Sequence, residues 1–180
     1  MRIVCVEGCH GCGKTTIIEQ LKTRGRYVLD ENFLNMPKYG LSPQSFTIEL
    51  IWVVKWIERI LILKDIVPND TFFADRSPFS VLFYAPNGHV LEPMLNELIE
   101  DMLATAGVEI ITVYISLPRD VLWSRIKNRL NVEPERVKYN EDSINHMNNV
   151  VDFYESKKYL WNYIVTNADS YFIEQLFKDG

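Results

Sequence analysis

The chain has few cysteines, and it has none outside one short segment. All three, Cys5, Cys9 and Cys12, lie near the N-terminus. The sequence contains no second cluster of cysteine or histidine that could complete a zinc site. Cys9 and Cys12 form a Cys-x-x-Cys pair, which redox proteins use. Glycines interleave with the pair, however, and a tight loop explains the segment without redox chemistry.

An excess of positive charge and long apolar runs are also missing. The net charge is −5 and the isoelectric point is about 5.3, which argues against a protein that grips a nucleic-acid backbone. No apolar run approaches the length of a membrane span, and the N-terminus leads straight into a motif without a cleavable signal arrangement. We therefore expect a cytoplasmic protein that binds a small molecule, with neither nucleic acid nor a membrane as partner.

Apolar runs of strand length alternate with segments of helical periodicity along the chain. The chain has 180 residues and is 47% hydrophobic, so we expect one domain spanning residues 1–180. The predicted strands are residues 2–7, 27–30, 71–74, 110–115 and 163–166. The first predicted helix begins near residue 17. Further helices are predicted at 45–66, 92–106 and 118–129. Another ends near residue 161, and the last begins at residue 170. This alternation predicts an α/β fold, with a parallel sheet covered by helices on both faces.

A phosphate-binding motif joins the first strand to the first helix. Residues 8–15 read GCHGCGKT and fit G-x-x-x-x-G-K-[ST] in the context that this motif requires. Glycines let backbone N–H groups turn towards an anion, and the helix N-terminus adds partial positive charge. Lys14 is expected to reach the terminal phosphates and Thr15 to hold Mg²⁺. His10 is either a ligand contact or, as we favour, a loop residue that points to solvent.

An acidic residue follows the third predicted strand. Asp75 stands at the carboxyl end of the run 71–74 and precedes Arg76. Ligands gather at the carboxyl ends of strands in open parallel sheets. We therefore expect Asp75 to face the phosphates and Mg²⁺, with Arg76 beside them.

Two arginines on one helical face precede a polar segment. Arg125 and Arg129 are four residues apart, and residues 131–141 also carry Arg136 and Lys138. Mobile arginines can stabilise the charge that spreads over a transferring phosphoryl group. Residues 125–141 are thus a candidate lid; the alternative is a solvated basic helix face.

The acceptor side leaves two alternatives open. Glu31 ends the second strand and is a candidate general base for a hydroxyl acceptor. A phosphate acceptor needs no base, and a cation such as Lys55 or Arg59 would then be its partner. Four further residues could contact a nucleobase: Gln44, Phe46, Trp52 and Trp56. The helical spacing of the aromatic residues among them is also typical of a buried core. The segment Asn167, Ala168, Asp169 follows the last strand, where a loop could run beside adenine.

These motifs resemble the deoxynucleoside kinase and thymidylate kinase superfamily over nearly the whole chain. The resemblance rests on three segments: the phosphate loop with Gly8, Cys9, His10, Gly11, Cys12, Gly13, Lys14, Thr15 and Thr16; residues 75–80, DRSPFS; and residues 114–129, which hold the strand and the lid helix. It implies ATP as the γ-phosphoryl donor, Mg²⁺, a five-stranded parallel sheet and often a homodimer.

The resemblance extends to both branches of that superfamily. Glu31 matches the catalytic base of deoxynucleoside kinases, and residues 44–46, QSF, are similar to their base-binding segment. Residues 55–58, KWIE, resemble an Arg-Trp-x-Glu segment of thymidylate kinases, with Lys55 in place of arginine. We favour a nucleoside acceptor over a nucleoside monophosphate.

Three other hypotheses about function compete with that of a nucleoside or nucleotide kinase. A regulatory GTPase would need an Asn-Lys-x-Asp signature, and residues 167–169 lack its lysine. A kinase of a small non-nucleotide acceptor would use the same scaffold. A nucleotide-binding protein without turnover would bind ATP and release no ADP.

Overall fold

The computed structural model describes residues 1–31, 36–37, 39–42, 44–166 and 169–177. Asn167 and Ala168, considered above for contacts to adenine and for the GTPase signature, lie outside the described residues. So does part of the segment between residues 32 and 43. No helix within the described ranges combines the length and apolarity needed to cross a membrane.

Five strands form one parallel sheet in the order β2-β3-β1-β4-β5. The strands are β1 (Arg2–Glu7), β2 (Tyr27–Leu29), β3 (Thr71–Asp75), β4 (Glu109–Ile115) and β5 (Tyr163–Val165). The helices are α1 (Lys14–Thr23), α2 (Phe46–Ile66), α3 (Val81–Tyr84), α4 (Glu92–Ala106), α5 (Arg119–Leu130), α6 (Ile144–Ser156) and α7 (Ser170–Gln175). The predicted α/β class, the five parallel strands and their positions in the sequence are confirmed.

Short 3₁₀ segments account for most of the differences from the predicted elements. They cover Pro78–Ser80, Gly88–Leu91, Pro134–Tyr139 and Lys158–Leu160. Residues 131–141 were described only as a polar segment, and the helix before β5 was expected to run to about residue 161. It stops at Ser156 instead, and a single tight turn follows. Isolated turns of this kind carry no periodicity that a sequence pattern could reveal.

Contacts divide the chain into two compact units. The first unit comprises Met1–Cys5 and Tyr27–Ile111. Its helix α2 begins where the Ser45 hydroxyl accepts a hydrogen bond from the backbone N–H of Ile48, at 3.4 Å, which is a standard N-terminal cap. One face of α2 is apolar and buried, and includes Trp52, Val53, Trp56 and Ile60. The interior strand β3 is buried along almost its whole length.

The second unit comprises Val6–Arg26 and Thr112–Gly180. Helix α1 packs against α7, and Arg26 forms an ion pair with the buried Glu174 at 2.5 Å. Helix α6 begins at a cap in which the Ser143 hydroxyl accepts from the N–H of His146, at 3.2 Å. Its buried face includes Met147, Val150, Val151 and Tyr154. The predicted single domain stays a prediction.

Candidate active site

The phosphate loop of the second unit lies between the end of β1 at Glu7 and the start of α1 at Lys14. Gly8, Gly11 and Gly13 have φ angles of 143°, 80° and 102°, a region that residues with a Cβ seldom adopt. The backbone conformation of the loop therefore favours glycine at each of these three positions.

Close packing reinforces the requirement for glycine. A Cβ on Gly8 would lie 2.9 Å from both the Cys12 Sγ and the backbone oxygen of Ile115. A Cβ on Gly11 would lie 2.9 Å from the Cγ1 of Ile126. The loop thus rests directly on β4 and α5, which fixes its path.

The N-terminus of α1 has the properties of an anion site. Within the described part of the chain no side chain caps it, and its first turn contains no acidic residue, so its backbone N–H groups and its dipole are available to an anion. The buried Lys14 ammonium donates hydrogen bonds to the carbonyls of Gly8, at 2.7 Å, and Cys9, at 3.0 Å. Thr15 and Thr16 are exposed in the first turn.

A buried carboxyl anchors the start of the loop. Glu7 is fully buried and accepts a hydrogen bond from the Tyr154 hydroxyl at 2.7 Å. The Tyr154 ring stacks on Tyr114 with centroids 5.1 Å apart, and the Trp161 N–H donates to the Tyr154 carbonyl at 2.8 Å. Burial raises the pKa of Tyr114 to about 12. Sequence reasoning missed this aromatic anchor because its members lie far apart in the chain.

His10 does not point to solvent, so that interpretation is wrong. Its side chain is only 4% exposed, and its ring stacks on His146 of α6 with centroids 5.5 Å apart. The Cys9 Sγ lies 3.6 Å from the His10 Nδ1. Burial lowers the pKa of His146, and the charge of Glu141 partly offsets this effect. Cys5, Cys9 and Cys12 are all buried thiols.

The candidate lid arginines take different positions. Arg125 is exposed. The Arg129 Nε lies 3.3 Å from both carboxylate oxygens of Glu133. Arg136 pairs with Glu133 and also with Glu141, the latter at 3.1 Å. These contacts lower the pKa of Glu133, mainly through the hydrogen bond from Arg136.

The first unit brings Glu31 and Arg76 together. The Arg76 Nε lies 2.9 Å from the Glu31 Oε1, and the Glu31 side chain is 39% exposed. The Arg76 guanidinium also lies over the Tyr84 ring, 4.7 Å from its centroid. Arg76 has a φ of 72°, an uncommon conformation for a residue with a Cβ, and such strain concentrates at functional sites. Asp75, the last residue of β3, is buried beside it.

A second carboxyl near this pair was not identified from the sequence. Glu49 of α2 is only 3% exposed. Burial raises its pKa to about 8, the charge of Arg76 lowers it, and the charge of Glu31 raises it. The sequence did contain a signal for it, because Glu49 has helical spacing with Trp52 and Trp56 and so shares their face of α2. A charged residue on a buried face indicates a functional role, since charged residues are seldom buried without a partner.

The other acceptor candidates are distributed unevenly around α2. Trp52 is buried and its N–H donates to the Glu31 carbonyl at 2.8 Å, whereas Lys55 is exposed. Arg59 pairs with Asp30, binding its carboxylate at 3.1 Å and its carbonyl at 2.8 Å. Gln44 precedes the helix, with a φ of 59°. The proposed cooperation of Asp75 with Lys14 and Thr15 joins residues of different units and stays a prediction.

Comparison with known proteins supports the family resemblance. A family described as an AAA domain matches residues 3–149. The thymidylate kinase of Blochmanniella floridana is 23% identical over 195 aligned positions, which cover 97% of this chain and 90% of that protein.

Two solved structures of a deoxyadenosine kinase from M. mycoides share the fold. The structure with products dCMP and a flexible dCDP is 19% identical, with a TM-score of 0.54 over 98% of this chain and 96% of the other. The structure with bound dATP is 17% identical, with a TM-score of 0.56 over 94% and 91% of the two chains.

Proposed function

Because the chain belongs to the AAA domain family, and its phosphate loop has the geometry of an anion site, we propose that it is a kinase. In this proposal it transfers the γ-phosphoryl group of ATP to the primary hydroxyl of a nucleoside or deoxynucleoside. The similarity to a thymidylate kinase and to a deoxyadenosine kinase supports a nucleoside or nucleotide as the acceptor class.

The donor side of the proposal uses the phosphate loop. Backbone N–H groups at the start of α1 bind the phosphates of ATP, and the Lys14 ammonium exchanges its contacts with loop carbonyls for contacts with phosphate oxygens. Mg²⁺ prefers oxygen ligands, and in this proposal the Thr15 hydroxyl and the Asp75 carboxylate would supply two of them. The ion would neutralise charge on the phosphates. Arg125 and Arg129 are the proposed lid arginines, and Arg129 would exchange Glu133 for a phosphate oxygen.

The acceptor side of the proposal uses the ion pair between Glu31 and Arg76. Glu31 accepts the proton of the acceptor hydroxyl while the oxygen forms a bond to the γ-phosphorus and the bond to ADP breaks. Arg76 fixes the direction of the Glu31 carboxylate through their 2.9 Å contact and so positions the acceptor hydroxyl. The partial exposure of Glu31 keeps this carboxylate accessible to an acceptor.

The observation that carries the preference for a nucleoside is that Arg76 is already paired with Glu31. A monophosphate acceptor brings two negative charges, so it would need a cation that no carboxylate neutralises. Lys55 was the candidate for that role, but it is exposed, whereas the Trp52 and Trp56 face of the same helix is buried. Arg59 is engaged with Asp30.

A nucleoside monophosphate is the second candidate acceptor. It is supported by the match to a thymidylate kinase over 97% of this chain and by the KWIE segment at residues 55–58. A monophosphate would have to displace Glu31 from Arg76, and Glu31 would then have no role as a base. The homodimer that the resemblance implies is part of this proposal only as a prediction.

Substitution of Glu31 tests the proposal. With ATP and Mg²⁺, we expect Glu31→Gln to lower kcat for the preferred nucleoside by about 10²- to 10⁴-fold, the usual contribution of a general base. Asp30→Asn is the matched control, since Asp30 adjoins Glu31 and pairs with the other arginine. Turnover of monophosphates that Glu31→Gln leaves intact and Lys55→Ala weakens would overturn the nucleoside proposal. Lys14→Ala should abolish turnover with either acceptor.

A further inference from the structure

One side of the phosphate loop packs against the first turn of helix α6. The buried His10 ring stacks on His146, with ring centroids 5.5 Å apart and an interplanar angle of 26°. The buried Cys9 thiol donates a weak hydrogen bond to the backbone carbonyl of Met147, at 4.0 Å. All four residues belong to the same compact unit. The proposed phosphoryl transfer gives this contact between loop and helix no role.

This part of the loop depends on its side chains for a fixed conformation. Cys9 and His10 are the two residues between Gly8 and Gly11. A glycine has no side chain that could hold a loop in place, and its backbone has more conformational freedom than that of any other residue. The side chains of Cys9 and His10 are therefore the ones that can fix the segment between the two glycines.

Helix α6 also contacts the loop at its beginning. The Tyr154 hydroxyl donates to the Glu7 carboxylate at 2.7 Å, and Tyr154 and Met147 lie on the same buried face of α6. They are seven residues apart, which corresponds to about 10 Å along a helix. A regular helix thus runs beside the loop from Glu7 to His10. Supporting residues on rigid elements hold a binding site more precisely than residues on loops do.

The support matters because an anion is bound by several backbone N–H groups at once. These groups converge on a phosphate in only some conformations of a glycine-rich loop. The apparent dissociation constant rises as the fraction of molecules in the converging conformation falls. One aromatic pair can shift such an equilibrium by about 2- to 13-fold, beyond the effect of the surface that it buries.

We propose that His146 is a positioning residue for the phosphate loop. Its ring holds His10, and through His10 the backbone before Gly11, in the conformation that binds the phosphates of the donor. The proposal rests on the donor side of the proposed function and is independent of which acceptor is used. It gives α6 a part in donor affinity that the phosphate-binding motif itself does not contain.

A double-mutant cycle tests the contact. The dissociation constant of ATP is measured by titration calorimetry, without an acceptor, for wild type, His146→Ala, His10→Ala and the double variant. We expect His146→Ala to raise this constant about tenfold in the wild-type background. In the His10→Ala background it should raise it less than about twofold, because the ring that it contacts is already absent. An equal factor in both backgrounds would overturn the proposal.

Two further variants separate positioning from general stability. His146→Phe retains a flat ring, so its ATP affinity should stay within about threefold of the wild-type value. Asn145→Ala is the matched control, because Asn145 is exposed in the same turn of α6, and its ATP affinity should be unchanged. Urea unfolding confirms that each variant is folded under the assay conditions. If His146→Ala lowers the unfolding free energy but leaves the affinity of the folded protein for ATP unchanged, the residue is only structural and the proposal is wrong.

Steady-state kinetics give a second readout. With a saturating acceptor, His146→Ala should raise the KM for ATP by about the same factor and leave kcat within about twofold, because saturating ATP selects the converging conformation of the loop. A lower kcat with an unchanged KM would contradict the positioning role.

Failure of the proposed function gives a different result. The titrations are repeated with inorganic tripolyphosphate, and the ratio between His146→Ala and wild type should be the same as with ATP, because the loop contacts only phosphates. If the wild type binds tripolyphosphate but not ATP, the donor assignment is wrong, and the ratio measured with tripolyphosphate still decides the role of His146. A wild type that binds neither would overturn both proposals.

Discussion

The phosphate loop and the acceptor cluster reach their geometries by different physical routes. The loop is a contiguous segment whose glycines adopt left-handed φ angles and contact β4 and α5 so closely that a Cβ would collide. The acceptor cluster contains Glu31 from the segment after β2, Glu49 from α2 and Arg76 from the segment after β3. Its special features are a non-glycine residue at φ 72° and a buried carboxyl. A local motif thus defines the loop, whereas tertiary packing defines the cluster.

The largest effect is expected where the loop is most tightly packed. Gly8→Ala would bring a Cβ to 2.9 Å from the Cys12 Sγ and the Ile115 carbonyl, so the loop must shift and its N–H groups no longer converge on phosphate. We expect ATP affinity, measured by titration calorimetry, to fall by about 10³-fold or beyond detection. Gly25→Ala is the matched control, because Gly25 also has a positive φ, 78°, but no atom of the described residues would lie within 4 Å of its Cβ. A Gly8→Ala variant that binds ATP normally would contradict this packing account.

The next effect concerns the dependence of stability on pH. The pKa of Glu49 is raised from 4.5 to about 8 by burial, with Arg76 lowering it and Glu31 raising it. The stability that the neutral form contributes is therefore fully present below about pH 4.5 and is lost as pH rises towards 8. Glu49→Gln should lack this loss. Relative to the variant, the wild type should lose on the order of 2–4 kcal/mol of unfolding free energy across that window.

Denaturant unfolding between pH 5 and 8.5 measures this difference. The neighbouring charges of Arg76 and Glu31 are present in both proteins, so their own contributions cancel to first order. If the unfolding free energies of wild type and Glu49→Gln change with pH in the same way, Glu49 is ionised in the folded protein throughout the range. The prediction that burial raises its pKa would then be wrong.

A third effect separates charge from geometry in the acceptor cluster. Arg76→Lys keeps the positive charge but loses the planar guanidinium that contacts Glu31 at 2.9 Å and lies over the Tyr84 ring at 4.7 Å. Arginine and lysine are not equivalent in such paired and stacked positions. We expect kcat to fall about 100-fold, equivalent to about 2.7 kcal/mol, with little change in ATP affinity. Steady-state kinetics of Arg76→Lys and of the control Arg59→Lys would check this, and equal effects would contradict it.

The smallest effect should come from the anchor beneath the phosphate loop. Tyr154→Phe removes the hydroxyl that donates to the fully buried Glu7 at 2.7 Å and preserves the stacked ring. We expect the unfolding free energy to fall by about 1–3 kcal/mol, the cost of removing one partner of a buried group. Tyr159→Phe, at an exposed position, should change it by less than about 0.5 kcal/mol. Urea unfolding of both variants gives the comparison, and equal losses would refute the anchoring role.

Much of the fold follows from the sequence because its determinants are local. The strand at residues 2–7, the helix 92–106 with its Gly107 cap, and the phosphate loop all have short-range signals, and the structure places each within a few residues of its predicted bounds. The start of α1 was predicted near residue 17 and lies at Lys14, because the glycines of the phosphate loop obscure the helical pattern there. Helix α3 was missed because four residues are too few to show a period.

The acceptor site was less accessible to sequence reasoning. Glu31 and Arg76 were identified singly from their positions after strands, but their ion pair depends on packing between β2, β3 and the segment after each. The burial of His10 also depends on tertiary packing, because its ring stacks on His146, a residue far away in the chain. Exposure of Lys55 depends on the rotation of α2, which Trp52, Val53 and Trp56 set together.

The identity of the first phosphorylated product tests the central proposal most directly. The protein is incubated with ATP, Mg²⁺ and an equimolar mixture of deoxynucleosides and isotopically labelled deoxynucleoside monophosphates, and the products are followed by mass spectrometry. The account predicts unlabelled monophosphates as the first products from the wild type, and their disappearance with Glu31→Gln. Labelled diphosphates alone, formed equally by wild type and Glu31→Gln, would contradict it.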